Sequence, residues 1–139
     1  MAENAEYEWN FEESRKAAAA KGLEIVDTAP NRLLIDFDSP DTKRFDLALS
    51  WLRSRFDLKE LARWKSKGGK NWHILLSCAP CDFTKRIALQ FALGSDFKRE
   101  TLALLMQADG HEVSFLFRPT EQLNAIEAAM LADSPEVSE

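Results

Sequence analysis

What the chain has little of sets the first limits. Its 139 residues include only 2 cysteines, 5 prolines, 5 glycines, 2 histidines and 1 tyrosine. Two cysteines cannot build a disulfide framework. Sparse glycine and proline exclude a low-complexity or collagen-like chain. There is no apolar run of about 18 residues, so no membrane-spanning helix is expected. The start, MAENAEYEWN, has no basic segment leading into an apolar one, so no secretory leader is expected there. Positive charge is also short, with 18 Lys and Arg against 23 Asp and Glu and a formal net charge of −5. That balance argues against coating bulk nucleic acid through a generally basic surface, although a local basic patch remains open. The expectation is a soluble, cytoplasmic protein with reduced cysteines.

What is present is a core. Hydrophobic residues make up 45% of the chain and charged residues 29%, the balance of one globular domain. The expected domain covers residues 1–139, with residues 1–9 and 133–139 as disordered tails and a core over about 23–119.

Periodicity and punctuation divide the chain. NFEESRKAAAAKG reads as a helix with acids at its positive end and Gly22 at its stop. LEIVDTA reads as a short strand, and RLLIDFD is the strongest strand in the chain. Phe45, Leu49, Leu52 and Phe56 recur at helical spacing, with Ser39 or Asp41 as the cap of that helix. LKELARWKS and NWHILLSC read as two strands joined by the KGGK turn. Asp82 and Ser95 or Asp96 cap two further helices, and Gly110 ends the second. EVSFLFRP is a last strand, and TEQLNAIEAAMLA is a terminal helix. The order predicts an α+β fold: an RRM-like or ferredoxin-like βαββαβ antiparallel sheet with extra N- and C-terminal helices. In that topology RLLIDFD and NWHILLSC are neighbours in the middle of the sheet.

The chemistry concentrates on those two strands. Asp36 and Asp38 are two residues apart, which puts both on one face of a strand. Adjacent carboxylates repel unless a cation or proton lies between them, and Mg²⁺ or Mn²⁺ takes such oxygen ligands while leaving positions for phosphate. Solvation of one Asp and helix capping by the other is the plainer alternative. His73 and Asn71 share a face of the next strand but one and are expected to face Asp36 and Asp38. Ser66, Lys67 and Lys70 surround a Gly-Gly turn whose amides can approach an anion. Arg99, with Lys85 and Arg86 upstream, offers a basic edge for phosphates; an ordinary surface pair on a capped helix start competes with that reading.

These features together resemble the archaeo-eukaryotic primase superfamily, which includes the primase-polymerases of phages and plasmids. IDFDS matches the first motif at Asp36 and Asp38, and SKGGKNWHI matches the second at Ser66 and His73, with the large Trp72 where a small residue is usual. The third motif, a carboxylate on a later strand, has no counterpart in VSFLFRP. The resemblance spans about residues 30–119. It implies a minimal, phage-type primase-polymerase domain that binds a nucleotide or single-stranded or primed nucleic acid with a divalent metal. It further implies nucleotidyl transfer in DNA replication, alongside other replication proteins. Asp36 and Asp38 would hold the metal, His73 the nucleotide, and Ser66, Lys67, Lys70 and Arg99 the phosphates. The missing carboxylate and the acidic charge favour a different class, a catalytically inactive RRM-like accessory protein that binds nucleic acid or a protein partner.

Two further features stand apart. Cys78-Ala-Pro-Cys81 lies between a strand and a helix, where a redox pair, a zinc site or two small semi-buried residues are the alternatives. Among the tryptophans, Trp51 is expected in the core beside the stripe of its helix, and Trp64 is the candidate for base stacking.

Overall fold

The computed structural model describes residues 11–66 and 68–120. They form an α+β protein whose elements run α1 (Phe11–Ala20), β1 (Leu23–Asp27), β2 (Arg32–Phe37), α2 (Lys43–Phe56), β3 (Lys59–Lys65), β4 (Trp72–Ser77), α3 (Phe83–Ala92), α4 (Phe97–Ala108) and β5 (Phe115–Pro119). The expected tails and the terminal helix after Thr120 lie outside the described residues. None of the helices is long and apolar enough to cross a membrane among the described residues. The described chain falls into two compact units, residues 27–116 and residues 11–26 with 117–120.

The larger unit is built on a three-stranded antiparallel sheet in the order β2-β4-β3. Arg32 stands opposite Ser77 and Phe37 opposite Trp72, and β4 pairs on its other side with β3 across an irregularity between Glu60 and Ala62. The predicted adjacency of these two strands is therefore present, but β4 alone is in the middle of the sheet and β2 lies at its edge. Their alternation explains the packing. Leu33, Ile35 and Phe37 of β2 point one way and join Ile74 and Leu76 of β4. Phe45, Leu49 and Leu52 of α2 close over them, with Leu89 and Leu93 from α3 and its end. Each such side chain contributes about 1.5–3 kcal/mol by leaving water.

Helix boundaries follow local chemistry. Asp82 Oδ1 accepts from the Lys85 amide at 2.8 Å, and Asp96 caps α4 through the Arg99 amide. At α2 the cap position is Thr42, whose side chain makes no capping bond; the Lys43 amide donates instead to Asp41 Oδ1 at 3.0 Å. Between α3 and α4, Gly94 has φ +87° and lies against Phe37, so that an added Cβ would come 2.9 Å from its ring. Only glycine fits both that backbone and that contact.

The last strand does not extend this sheet. β5 pairs with β1 in a separate two-stranded sheet. The pairing is antiparallel, with the Thr120 amide donating to Gly22 O and the Thr28 amide to Ser114 O. Within the smaller unit, Leu23–Val26 and Phe117–Pro119 carry it, preceded by α1.

The outer edge of β2 is met by three side chains and one loop amide rather than by another strand. The Leu34 amide donates to Gln90 Oε1 at 2.9 Å and the Asp36 amide to Ser95 Oγ at 3.0 Å. Arg99 Nη1 donates to Leu34 O at 3.1 Å, and the Asp96 amide donates to Asp36 O at 2.7 Å. Four successive ladder positions are thus satisfied from the turn between α3 and α4 and its flanking helices.

Candidate functional site

β2 and β4 place Asp36 directly opposite His73, and β3 places Trp64 on the other side of the same histidine. His73 Nε2 lies 3.6 Å from Asp36 Oδ1, and the Asn71 side-chain amide donates to that same oxygen at 3.1 Å. The side chains of Asp36 and His73 are 21% and 13% exposed. The Trp64 ring meets the imidazole edge-on, 5.9 Å between centroids. Of the expectation that Asn71 and His73 face Asp36 and Asp38, the part for Asp36 is met, as strand alternation requires.

The hairpin above this row is closed at its root. The Ser66 amide donates to Asn71 O at 2.9 Å, and the Asn71 amide donates to Ser66 Oγ at 3.2 Å. Gly68 and Gly69 then turn the chain at φ +103° and +71°. Lys65 and Lys70 are exposed, and Lys65 Nζ sits 4.3 Å from the centre of the Trp72 ring. Lys67 lies outside the described residues. Between Ala62 and Trp72 the sequence holds four cations and no carboxylate. Of these, Arg63 is engaged by Glu60 at 2.7 Å and Asp46 at 3.2 Å, and the Glu60 hydrogen bond is the main reason its guanidinium is raised above its usual range.

Asp38 has different surroundings. It follows the end of β2, is exposed, and opens onto a cleft of about 560 Å³ lined also by Asp41, Arg44, Asp96, Phe97 and Lys98. Asp36 does not line that cleft. No group of three or more His, Cys, Asp or Glu side chains is placed to hold a metal among the described residues.

Arg99, expected to meet a phosphate, is a structural residue. Its Nη1 donates to Leu34 O and pairs with Glu100, while its Nη2 donates to Ser114 Oγ at 3.2 Å and Phe115 O at 3.0 Å. Those contacts occupy the whole outer fork of the guanidinium. Glu100 is fully buried and accepts from Gln90 Nε2 at 2.8 Å and Ser95 Oγ at 2.5 Å. Burial pushes its carboxyl up, and Arg99, Ser95 and Gln90 pull it back. The sequence reading missed this network. The available signal was a polar residue at an inward position: Gln90 follows Arg86 and Ile87 at helical spacing, and all three are buried.

The tryptophans exchange roles. Trp64 is 1% exposed, so it offers no stacking face, whereas Trp51 is 70% exposed. With Leu47, 74% exposed, Trp51 borders a groove of about 380 Å³ between α2 and the end of α3. Arg44 lies at that groove, and exposed Arg55 follows Trp51 by four residues on the same side of α2.

No protein-family model, no curated protein and no solved structure matches this chain.

Proposed function

We propose that this protein binds single-stranded nucleic acid through the β3–β4 hairpin, as an accessory module of the primase-polymerase kind. One observation carries the reading. A Gly-Gly hairpin bearing exposed Lys65 and Lys70, with Lys67 between them in sequence, is locked at its root by Ser66 and Asn71. Asn71 is in turn tied to Asp36. Exposed Lys65 and Lys70 and the Gly68–Gly69 amides, beside the half-buried Trp72, suit phosphates and an adjacent base. Asp36, Asn71 and His73 act here as positioning residues that anchor the hairpin to β2.

Nucleotidyl transfer would further require a divalent metal on Asp36 and Asp38. The donor set does not fit it. Asp36 Oδ1 is occupied by Asn71 and faces His73, and Asp38 opens onto a cleft that Asp36 does not line. No step is derived through a metal, and nucleotide is a competitor for the site rather than a substrate.

The test is fluorescence anisotropy with a labelled single strand across a salt series. Three lysines neutralising phosphates predict a slope of log K against log salt near −2. Replacing Lys65, Lys67 and Lys70 by Ala should flatten it and weaken binding. Absence of binding at low salt by a folded wild-type protein would overturn the proposal. Metal-dependent nucleotide incorporation, lost on Asp36→Ala with Asp38→Ala, would replace binding by catalysis.

A second reading rests on α2. Leu47 and Trp51 are exposed over a groove and flanked by Arg44 and Arg55. That stripe suits an acidic amphipathic helix, whose apolar face would fill the groove and whose carboxylates would meet the arginines.

A further inference from the structure

Cys78 and Cys81 belong to neither reading. They lie in the loop that leaves β4 and enters α3, with Ala79 and Pro80 between them. The loop is held at three amides: Cys78 N–H donates to Asn31 O at 2.9 Å, Ala79 N–H to Phe56 O at 3.0 Å, and Cys81 N–H to Pro30 O at 2.9 Å. Arg86, itself buried, donates through Nη1 to Cys81 O at 2.5 Å. Asp82 caps α3 immediately after the second cysteine. Both thiols are free, Cys78 is buried in the core, and Cys81 is partly exposed and packed against that core. Three residues apart in sequence, the two cysteines pack into one apolar cluster, Cys78 within it and Cys81 against it. A loop fixed from three sides therefore holds one accessible and one inaccessible thiol together.

The geometry points to Cys78 and Cys81 as a reversible dithiol–disulfide pair, oxidised by a low-molecular-weight disulfide such as glutathione disulfide. Cys81, the accessible member, attacks as thiolate on one glutathione sulfur. A Cys81–glutathione bond forms, the glutathione S–S bond breaks, and the released thiolate takes up the proton lost by Cys81. Cys78 then loses its proton and attacks Cys81 Sγ. The Cys78–Cys81 bond forms, and the second glutathione leaves and is protonated. Two thiols of the protein are oxidised, and one disulfide is reduced to two thiols.

The roles are unequal for a physical reason. Burial pushes the Cys78 thiol up to about 11, helped by the neighbouring Cys81 and opposed by Arg86. Cys78 is thus protonated at neutral pH and suited to the second, intramolecular step, where proximity offsets its small thiolate fraction. Ring closure should accelerate about tenfold per pH unit below that value.

The test incubates the full chain with a series of glutathione disulfide to glutathione ratios, followed by acid quench, alkylation and intact mass. Wild type should lose both thiols together, with no adduct at equilibrium. Cys78→Ser, or Cys78→Ala should the serine unfold the core, should stop at a stable glutathione adduct on Cys81. Cys81→Ser should keep its remaining thiol unmodified in the folded state. A wild-type protein that accumulates the Cys81 adduct, forms only intermolecular disulfides, or keeps both thiols reduced at the most oxidising ratio while folded by circular dichroism overturns the inference.

Discussion

The side-chain amide of Gln90 donates to Glu100 at 2.8 Å while its carbonyl oxygen accepts from the Leu34 amide at 2.9 Å, so one glutamine joins two helices to the edge of a strand. Arg99 and Ser95 complete the cluster, and none of its polar groups can be removed without leaving a buried partner unmatched.

Glu100 is the most sensitive member. Glu100→Ala removes the buried carboxylate that Arg99, Gln90 and Ser95 share and should cost about 3–5 kcal/mol in urea unfolding. Gln90→Ala should cost about 1–3 kcal/mol. The two losses should fall short of additive in the double variant, because they break one network.

The same carboxyl sets a pH dependence. Burial raises Glu100 above the ordinary carboxylate range, with Arg99, Ser95 and Gln90 opposing. The native state therefore binds the proton more tightly than the unfolded chain. Its contribution to stability is present at low pH and is lost as pH rises from the ordinary carboxylate range through the raised value. Glu100→Gln lacks that titration. The stability of wild type minus that of Glu100→Gln should fall with rising pH across this window in urea melts; a difference that is flat or rises contradicts the assignment.

The two tryptophans should respond in opposite ways. Trp64 is buried, and its replacement by Ala should cost about 3–5 kcal/mol. Trp51 is exposed, and Trp51→Ala should change stability by less than about 0.5 kcal/mol. Isothermal titration with an acidic amphipathic peptide checks the second reading of function, since binding should require Trp51 and Leu47.

Gly94 and Gly69 make a matched comparison. Both have positive φ, but only Gly94 has a neighbour, the Phe37 ring, in the path of a Cβ. Gly69→Ala should cost about 1 kcal/mol from backbone strain alone. Gly94→Ala should cost about 1–3 kcal/mol more through displaced packing, measured by thermal unfolding.

A double-mutant cycle on Asp36→Ala and His73→Ala isolates their contact. Each single change should destabilise by about 1 kcal/mol, and a favourable coupling should survive in the cycle. Zero coupling would mean that the imidazole draws its support elsewhere.

Much of this geometry was legible in the order of residues. The period of two in RLLIDF and NWHILL fixes which side chains share a face, so Asp36 opposite His73 follows once the strands pair antiparallel. The cap at Asp82 was equally plain, being decided within three residues, and the choice between Ser95 and Asp96 falls to Asp96. The pairing of β5 was not, because a strand's own alternation does not reveal which distant edge it finds. Here the edge of β2 is already filled by Gln90, Ser95 and Arg99. Trp51 is misleading because its hydrophobic character suggests the core while its angle on the helix does not: Phe45, Leu49 and Leu52 define the buried stripe, and Trp51 falls off it. For Asp38, a shared strand face was expected, but β2 ends at Phe37 and the alternation ends with it.

The side-chain cover on β2 has a consequence for how the protein behaves in concentrated solution. Leu33, Leu34 and Ile35 are consecutive, apolar and wholly buried, the composition of a segment that would readily template strand growth from one molecule to the next. An uncovered edge there would invite fibril formation. Gln90, Ser95 and Arg99 act as a built-in stopper, occupying the bonds an incoming chain would need. Losing any of them should show as aggregation during expression or storage before it shows as a change in binding.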